Sequence, residues 1–301
     1  MPGVSRDGRF APSPTGPLHL GSLRTALVAW LFARSQGAAF RVRVEDLDPQ
    51  RSRREFEQGQ LADLGALGLD WDGPVVRQSE RIHAYLDALA ALGRQERLYP
   101  CFCTRAEIRE AASAPHGALP EGAYPGTCAR LSAAERAARL AAGRPFALRV
   151  RAEGEEVEYE DRLLGSVSRV VDDFVVRRAD GVPAYQLAVV VDDAAQGIGE
   201  VVRGADLADS TPRQILLARW LGLPVPAYAH VPLVLGRDGS RLAKRHGAAT
   251  LAERAEPPAV TLAVLAHTLG LARERDRVDH PRELLGEFDP DRLPRSPVVL
   301  A

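Results

Sequence analysis

Lysine is nearly absent from this chain. Of 39 basic side chains one, Lys244, is a lysine and the rest are arginine. Whatever bias removed lysine elsewhere spared a position that needs a compact, flexible ammonium rather than a planar guanidinium. Cysteine is scarce as well: three residues, an odd number, exclude a disulfide framework and point to reduced thiols or a metal site. Charge of one sign is missing, because 39 basic and 40 acidic side chains leave a net charge of -1. No global cationic field draws the protein to nucleic acid or to a membrane surface, so any nucleic-acid site must be local. Long hydrophobic runs are lacking too. No stretch approaches the roughly 20 apolar residues of a membrane span, and Met1 to Asp7 is polar, without the apolar core of a secretory leader. A cytoplasmic protein is expected. What is present, 46% hydrophobic and 26% charged residues over 301 positions, excludes a disordered or fibrous chain and is enough for two domains.

Residues 8–11 read as a short strand that runs into the turn formers Pro12-Ser13-Pro14-Thr15-Gly16-Pro17. Leu23, Leu27, Trp30, Leu31 and Arg34 then recur at helical spacing, and the helix is expected to stop near Gly37. Phe40 to Val44 alternates like a strand and ends in Glu45-Asp46-Leu47-Asp48. This is a βαβ unit of a parallel sheet, with its first loop and its acidic strand end on one crevice. Helices are expected over 54–67, 80–94 and 132–142, and strands over 146–151 and 170–178. Pro183 to Val191 reads as a strand buried on both faces, and further α/β alternation runs to His230 to Leu235. Between Tyr99 and Arg130 lie all three cysteines and four prolines with little periodicity, the composition of an inserted module. After the basic loop Gly236 to Gly247 the chain is Ala- and Leu-rich and is expected to be helical up to a tail running from Pro290 to Pro297.

The first loop suits a nucleotide. A helix N-terminus offers unpaired N–H groups to phosphate, Gly21 permits a close approach to the backbone, and His19 can donate to a phosphate oxygen. Far along the chain, Arg241-Leu242-Ala243-Lys244-Arg245 forms a glycine-flanked basic loop. Together His19-Leu20-Gly21-Ser22 and Arg241 to Arg245 resemble the HIGH and KMSKS signatures of class I aminoacyl-tRNA synthetases. Arg9 to Gly16, Val44 to Asp48, Tyr185 and Val202 to Leu207 are similar to the glutamate-specific branch of that family. The likeness covers roughly 8–250. It departs from the pattern at Ala243, where a hydroxyl residue is common, and at Arg245. In place of that branch's large anticodon-binding region only a short segment follows the basic loop, so the chain resembles the truncated paralogues that glutamylate queuosine in an anticodon.

The resemblance implies an α/β fold: a Rossmann-like parallel sheet split by a zinc-bearing insertion, a short helical C-terminal remnant and no anticodon-binding domain. The corresponding segments are 1–98 and 183–250 for the two catalytic halves, 99–182 for the insertion and 251–301 for the remnant. It implies activation of L-glutamate by ATP with Mg²⁺ and without tRNA, then transfer to queuosine in the tRNA(Asp) anticodon stem-loop. A monomer is expected, since the sequence shows no exposed heptad or long apolar patch. His19, Gly21 and Lys244 would serve ATP and catalysis. Arg9, Phe10, Ala11, Pro12, Ser13, Glu45, Tyr185 and Arg203 would bind glutamate, with Arg9 on its side-chain carboxylate. Cys101, Cys103 and Cys128 supply three thiolates toward one structural zinc, which wants four ligands. His116 is the fourth donor by residue chemistry, whereas the family pattern places Tyr124 there. Arg149, Arg151 and Arg162 are available cations for phosphates. Two other functions stay open: a short synthetase charging a tRNA 3′ end, and a catalytically idle RNA-binding paralogue that carries zinc.

Overall fold

The computed structural model describes residues 5–104, 106–108, 124–236, 238–239, 250–273 and 276–299. Strand β1 (Gly8–Phe10) leads through the proline-rich loop into helix α1 (Leu20–Ser35), which returns to β2 (Phe40–Val44), parallel to β1 with Arg9 opposite Arg41. Helix α1 ends as expected, since Gly37 takes φ +66°, a conformation that costs glycine little. Its side chains from Leu23 to Ala33 are almost all apolar and fully buried, so it is a core helix rather than an amphipathic one. Helix α2 (Arg54–Ala66) connects β2 to the edge strand β3 (Val76–Arg77), and α3 (Ile82–Arg94) follows a 3₁₀ turn.

After β4 (Leu98–Cys101) come helix α4 (Ala133–Ala141), with Ser132 and Glu135 as its capping box, and strands β5 (Ala147–Val150), β6 (Glu156–Asp161), β7 (Gly165–Val170) and β8 (Val175–Arg177). Strands β4, β5 and β8 make a small antiparallel sheet. The β6–β7 hairpin instead joins the main sheet alongside β10 (Ala227–Val231), so residues 99–182 contribute to both sheets. Helix α5 (Tyr185–Ala195), β9 (Glu200–Gly204) and helix α6 (Thr211–Leu221) complete the second half. The seven-stranded order is β3-β2-β1-β9-β10-β6-β7, parallel except for the final hairpin. The two halves meet where β1 lies beside β9, a switch point of the kind that opens a crevice at the strands' carboxyl ends.

Three expectations need correction. Pro183 to Val191 is not a strand: Ala184 is extended, and α5 begins at Tyr185. A continuous apolar run does not distinguish a buried strand from a buried helix. Here Leu187 to Val190 are enclosed by α3, α6 and β8, which overrides the β-branched composition. Residues 170–178 are not one strand, because Asp172 and Asp173 break it before β8. Past β10, β11 (Val234–Leu235) pairs with β12 (Val298–Val299). The C-terminal segment is also less helical than expected. Helices α7 (Leu251–Arg254) and α8 (Pro258–Thr268) give way at Gly270, φ +73°, to 3₁₀ turns at 281–284 and 290–292.

Helix α8 packs on α1 and is tied to it by Arg24. The Arg24 guanidinium is buried and donates to Thr268 Oγ1 at 3.0 Å, Thr268 O at 3.2 Å and Pro232 O at 2.9 Å. None of these partners is a carboxylate, and burial lowers its pKa to about 10.

Candidate active site

A cavity of about 520 Å³ opens at the carboxyl ends of β1, β2 and β9. Arg9, Phe10, Ala11, Pro12, Ser13, His19, Gly21, Glu45, Tyr185 and Arg203 all line it, so the structure brings together ten of the positions singled out in the sequence. Lys244 and the rest of Arg241 to Arg245 lie outside the described residues. The chain re-enters them at Thr250, which forms a β-bridge with His19.

The proline-rich loop is held by its own backbone and by one buried glutamine. Thr15 N donates to Ser13 O and Arg53 N to Pro14 O, both at 2.9 Å. Gln60 Nε2 donates to Ser13 O at 3.0 Å and to Gly16 O at 2.7 Å. Glu45 N reaches across to Pro12 O at 2.9 Å, which fixes the β2 end against the loop. His19 is the N-cap of α1: its Nδ1 accepts from Ser22 N at 3.1 Å, so the neutral ring carries its proton on Nε2. A Cβ at Gly21 would lie 3.1 Å from the His19 ring and 3.5 Å from Val234. The glycine therefore makes room for the histidine ring.

The floor of the cavity is a buried charge cluster. Arg9 Nε donates to Asp193 Oδ1 at 3.2 Å and its Nη1 to Val202 O at 3.2 Å. Arg43, wholly buried, donates to Asp193 at 2.7 Å, to Gln196 at 2.8 Å and to Glu45 Oε1 at 3.3 Å. Burial alone would raise the Asp193 carboxyl, but the Arg43 and Arg9 guanidiniums hold it below the usual carboxylate value. At Glu45 burial prevails over the same two arginines and pushes the carboxyl up. Next to Asp193, the fully buried Asp192 accepts from Tyr85 Oη at 2.7 Å, Gln78 at 2.9 Å and Arg81 at 2.6 Å, anchoring α5 to α3. Arg203 is held by His230, Gln214 and Thr211. Sequence reading missed Arg43, Asp192, Asp193, His230 and Gln214. One signal was available: charged side chains interrupting apolar runs at the end of α5 and within β2, which bury only when paired.

The thiols form a second centre. The Sγ atoms of Cys101, Cys103 and Cys128 lie within 4.8 Å of one another, and Tyr124 Oη sits 3.4 Å from Cys101 Sγ and 3.7 Å from Cys103 Sγ. Four donors thus converge at spacings that fit a tetrahedral ion with metal–sulfur bonds of about 2.3 Å. Burial pushes the Cys103 thiol up to about 12. At Cys128 burial acts the same way, but the Phe102 amide and the other donors of the cluster outweigh it and bring the thiol below its usual value. His116 lies outside the described residues. Tyr124 N donates to Asp172 Oδ2 at 3.0 Å, and Arg213 on α6 donates to Asp172 Oδ1 at 2.9 Å, which ties the cluster to α6. Arg149 is unavailable to phosphates, being buried with its guanidinium 3.8 Å from the Tyr124 ring. Arg151 stacks on Tyr99 and Arg162 pairs with Glu200.

The family described as tRNA synthetases class I (E and Q), catalytic domain, matches residues 7–277. The chain belongs to this family. It is an enzyme of the ligase class, and its curated relatives in that synthetase family include the glutamyl-Q tRNA(Asp) synthetase of Nocardia farcinica. That protein is 59% identical over 302 residues, covering 99% of this chain and 94% of the relative. The glutamyl-Q tRNA(Asp) synthetase of Symbiobacterium thermophilum is 53% identical, covering 97% and 94%. Among solved structures, a glutamate tRNA ligase from Elizabethkingia meningosepticum, crystallised with its amino acid, superposes with a TM-score of 0.83 at 27% identity, over 99% of this chain and 67% of that one. Among the described residues no helix is long and apolar enough to cross a membrane.

Proposed function

We propose that this protein activates L-glutamate with ATP and Mg²⁺, without tRNA, and transfers the glutamyl group to queuosine in the anticodon of tRNA(Asp). The observation that carries this reading is the convergence of two arginines, an acid and a phenol on the cavity at the start of α1. Glutamate carries two carboxylates and an ammonium, and such a ligand needs cationic forks and an anion. Arg9 takes the side-chain carboxylate, Arg203 and Tyr185 complete the carboxylate network, and Glu45 takes the ammonium. Ser13 closes the pocket.

Activation forms a bond between an α-carboxylate oxygen and the α-phosphorus of ATP, while pyrophosphate leaves with the bonding electron pair. Positioning and charge neutralisation account for most of such a step. His19 donates its Nε2–H to a phosphate oxygen, Gly21 leaves room at the helix start, and Lys244 neutralises the departing pyrophosphate. A hydroxyl of the queuosine ring then attacks the acyl carbon and displaces AMP. Cys101, Cys103, Cys128 and Tyr124 hold one zinc ion that organises the insertion and takes no part in the chemistry. The protein acts as a cytoplasmic monomer.

The test is transfer of labelled glutamate to tRNA(Asp) with and without queuosine, with unmodified tRNA(Glu) as a parallel acceptor. Labelling of queuosine-bearing tRNA(Asp) alone is the expected result. Labelling of tRNA(Glu) instead would make the protein a short synthetase that charges a 3′ end.

A further inference from the structure

Arg203 leaves β9 with its guanidinium engaged at two distances. Three bonds hold it from behind: Nε to His230 Nε2 at 3.1 Å, Nη1 to Gln214 Oε1 at 2.7 Å and Nη2 to Thr211 Oγ1 at 2.7 Å. Two longer contacts lie in front, Nη1 to Tyr185 Oη at 3.4 Å and Nη2 to Leu207 O at 3.3 Å. Tyr185 and Leu207 line the cavity, whereas His230, Gln214 and Thr211 stand outside its lining. An incoming carboxylate therefore has two weakly committed N–H groups to compete for, while the strong bonds keep the fork aimed.

The orientation of this fork rests on the protonation of one ring. His230 is fully buried, and its Nδ1 lies 2.5 Å from Oδ2 of Asp161, which is buried as well. The other Asp161 oxygen is occupied by the amides of Leu163 and Leu164 at 2.9 Å and of His230 at 3.2 Å, so this carboxylate cannot turn away. A carboxylate facing Nδ1 keeps the proton there and leaves the Nε2 lone pair to accept from Arg203 Nε. The opposite tautomer, or the imidazolium, would set an N–H against an N–H.

From this we infer that His230, locked by Asp161, is a positioning residue for substrate carboxylate recognition: it fixes the Arg203 fork without touching the ligand. The inference rests on the glutamate-activating reading above and extends it to a pair of residues behind the pocket.

The experiment is glutamate-dependent exchange of pyrophosphate into ATP by the full chain, with KM measured separately for glutamate and for ATP. H230N returns the donor to Asp161 but offers Arg203 no acceptor. It should raise the KM for glutamate about tenfold to a hundredfold, the usual cost of a lost bond to a charged group, and leave the KM for ATP within about twofold. H230Q can place an amide oxygen near the Nε2 position and should recover most of the loss. D161N, which releases the tautomer while keeping the His230 ring, should resemble H230N and keeps the test open if that variant does not fold. Equal KM changes for both substrates, or no rescue by H230Q, would mean that His230 is only a core residue and overturn the inference. A wild-type protein without glutamate-dependent exchange would overturn the functional reading itself.

Discussion

Asp193 is the side chain whose removal most directly tests the account of the cavity floor. Its carboxylate neutralises two guanidiniums, Arg9 at 3.2 Å and Arg43 at 2.7 Å, and the three side chains are 10%, 4% and 0% exposed. At a charge separation of about 4 Å and an effective dielectric of about 20, each pair is worth about 4 kcal/mol of Coulomb energy before desolvation is subtracted. Asp193→Ala deletes both attractions, takes from Arg9 its paired carboxylate and leaves Arg43 the longer contacts to Glu45 at 3.3 Å and Asp192 at 3.8 Å. The net loss is therefore set within the range of about 3–5 kcal/mol found for breaking a buried pair. In a chain of this size that corresponds to a fall in thermal midpoint of at least about 6 °C, at roughly 2 °C per kcal/mol. Asp193→Asn keeps an acceptor for one arginine and should lose about half as much. Calorimetric melting of the three proteins at neutral pH gives the comparison. A loss below about 1 kcal/mol for Asp193→Ala would mean that water reaches both guanidiniums, and the description of a dry, charge-paired floor would be wrong.

Other expectations follow from individual contacts. Leu27→Ala empties space in a helix with no exposed face and should cost about 2–5 kcal/mol in urea unfolding; under 1 kcal/mol would contradict the full burial of that residue. Gly21→Ala forces a methyl to within 3.1 Å of the His19 ring, and should weaken the KM for ATP more than that for glutamate in pyrophosphate exchange. The Asp161–His230 pair links stability to pH with a definite sign. Burial first, and Arg203 and Arg9 with it, lower the His230 pKa below 6.5 against the pull of Asp161. Asp161 itself is held below 3.8, because the His230 ring and the Leu163 and Leu164 amides outweigh burial. Thr211 and the stacked Tyr228 ring also face His230, and neither carries charge there at neutral pH. Below about pH 6.5 the unfolded chain binds a proton at this histidine that the folded chain does not, so the melting midpoint should fall on acidification from pH 7.5 to 5, and fall less steeply in His230→Gln. Parallel curves would remove His230 from the linkage. For the thiol centre, elemental analysis should find one zinc per chain, lost with a strong chelator together with part of the thermal stability. Retention of full stability without metal would show that the thiols pack as plain core side chains.

What could be read from the sequence was what local chemistry determines. Turn formers from Pro12 to Pro17 and the spacing from Leu23 to Arg34 located the loop and α1, and Gly37 marked its end. The thiols were recognisable because Cys101-Phe102-Cys103 stands beside a proline-rich stretch, and the structure puts Tyr124 Oη among them. The cavity lining could be named because family motifs fall at strand ends. Pairings between distant segments were not legible: nothing local tells Arg43 that Asp193 will sit beneath it, or His230 that Asp161 will arrive from the β6–β7 hairpin. The misreading of Pro183 to Val191 has the same origin. Valines at 189–191 favour a strand locally, and only the enclosure by α3 and α6 makes the segment helical.

The Arg24 clamp gives the C-terminal segment a mechanical meaning. One guanidinium is bonded at once to the last turn of α8 and to the carbonyl of Pro232, just past β10, while its own backbone belongs to the first turns of α1 behind His19. The two sides of the cavity mouth and the C-terminal helix thus share a single keystone. Substitutions along 258–268 that never face the cavity should therefore reset the spacing across its mouth, and drift in this stretch should be matched by compensating change near Thr25 or Pro232.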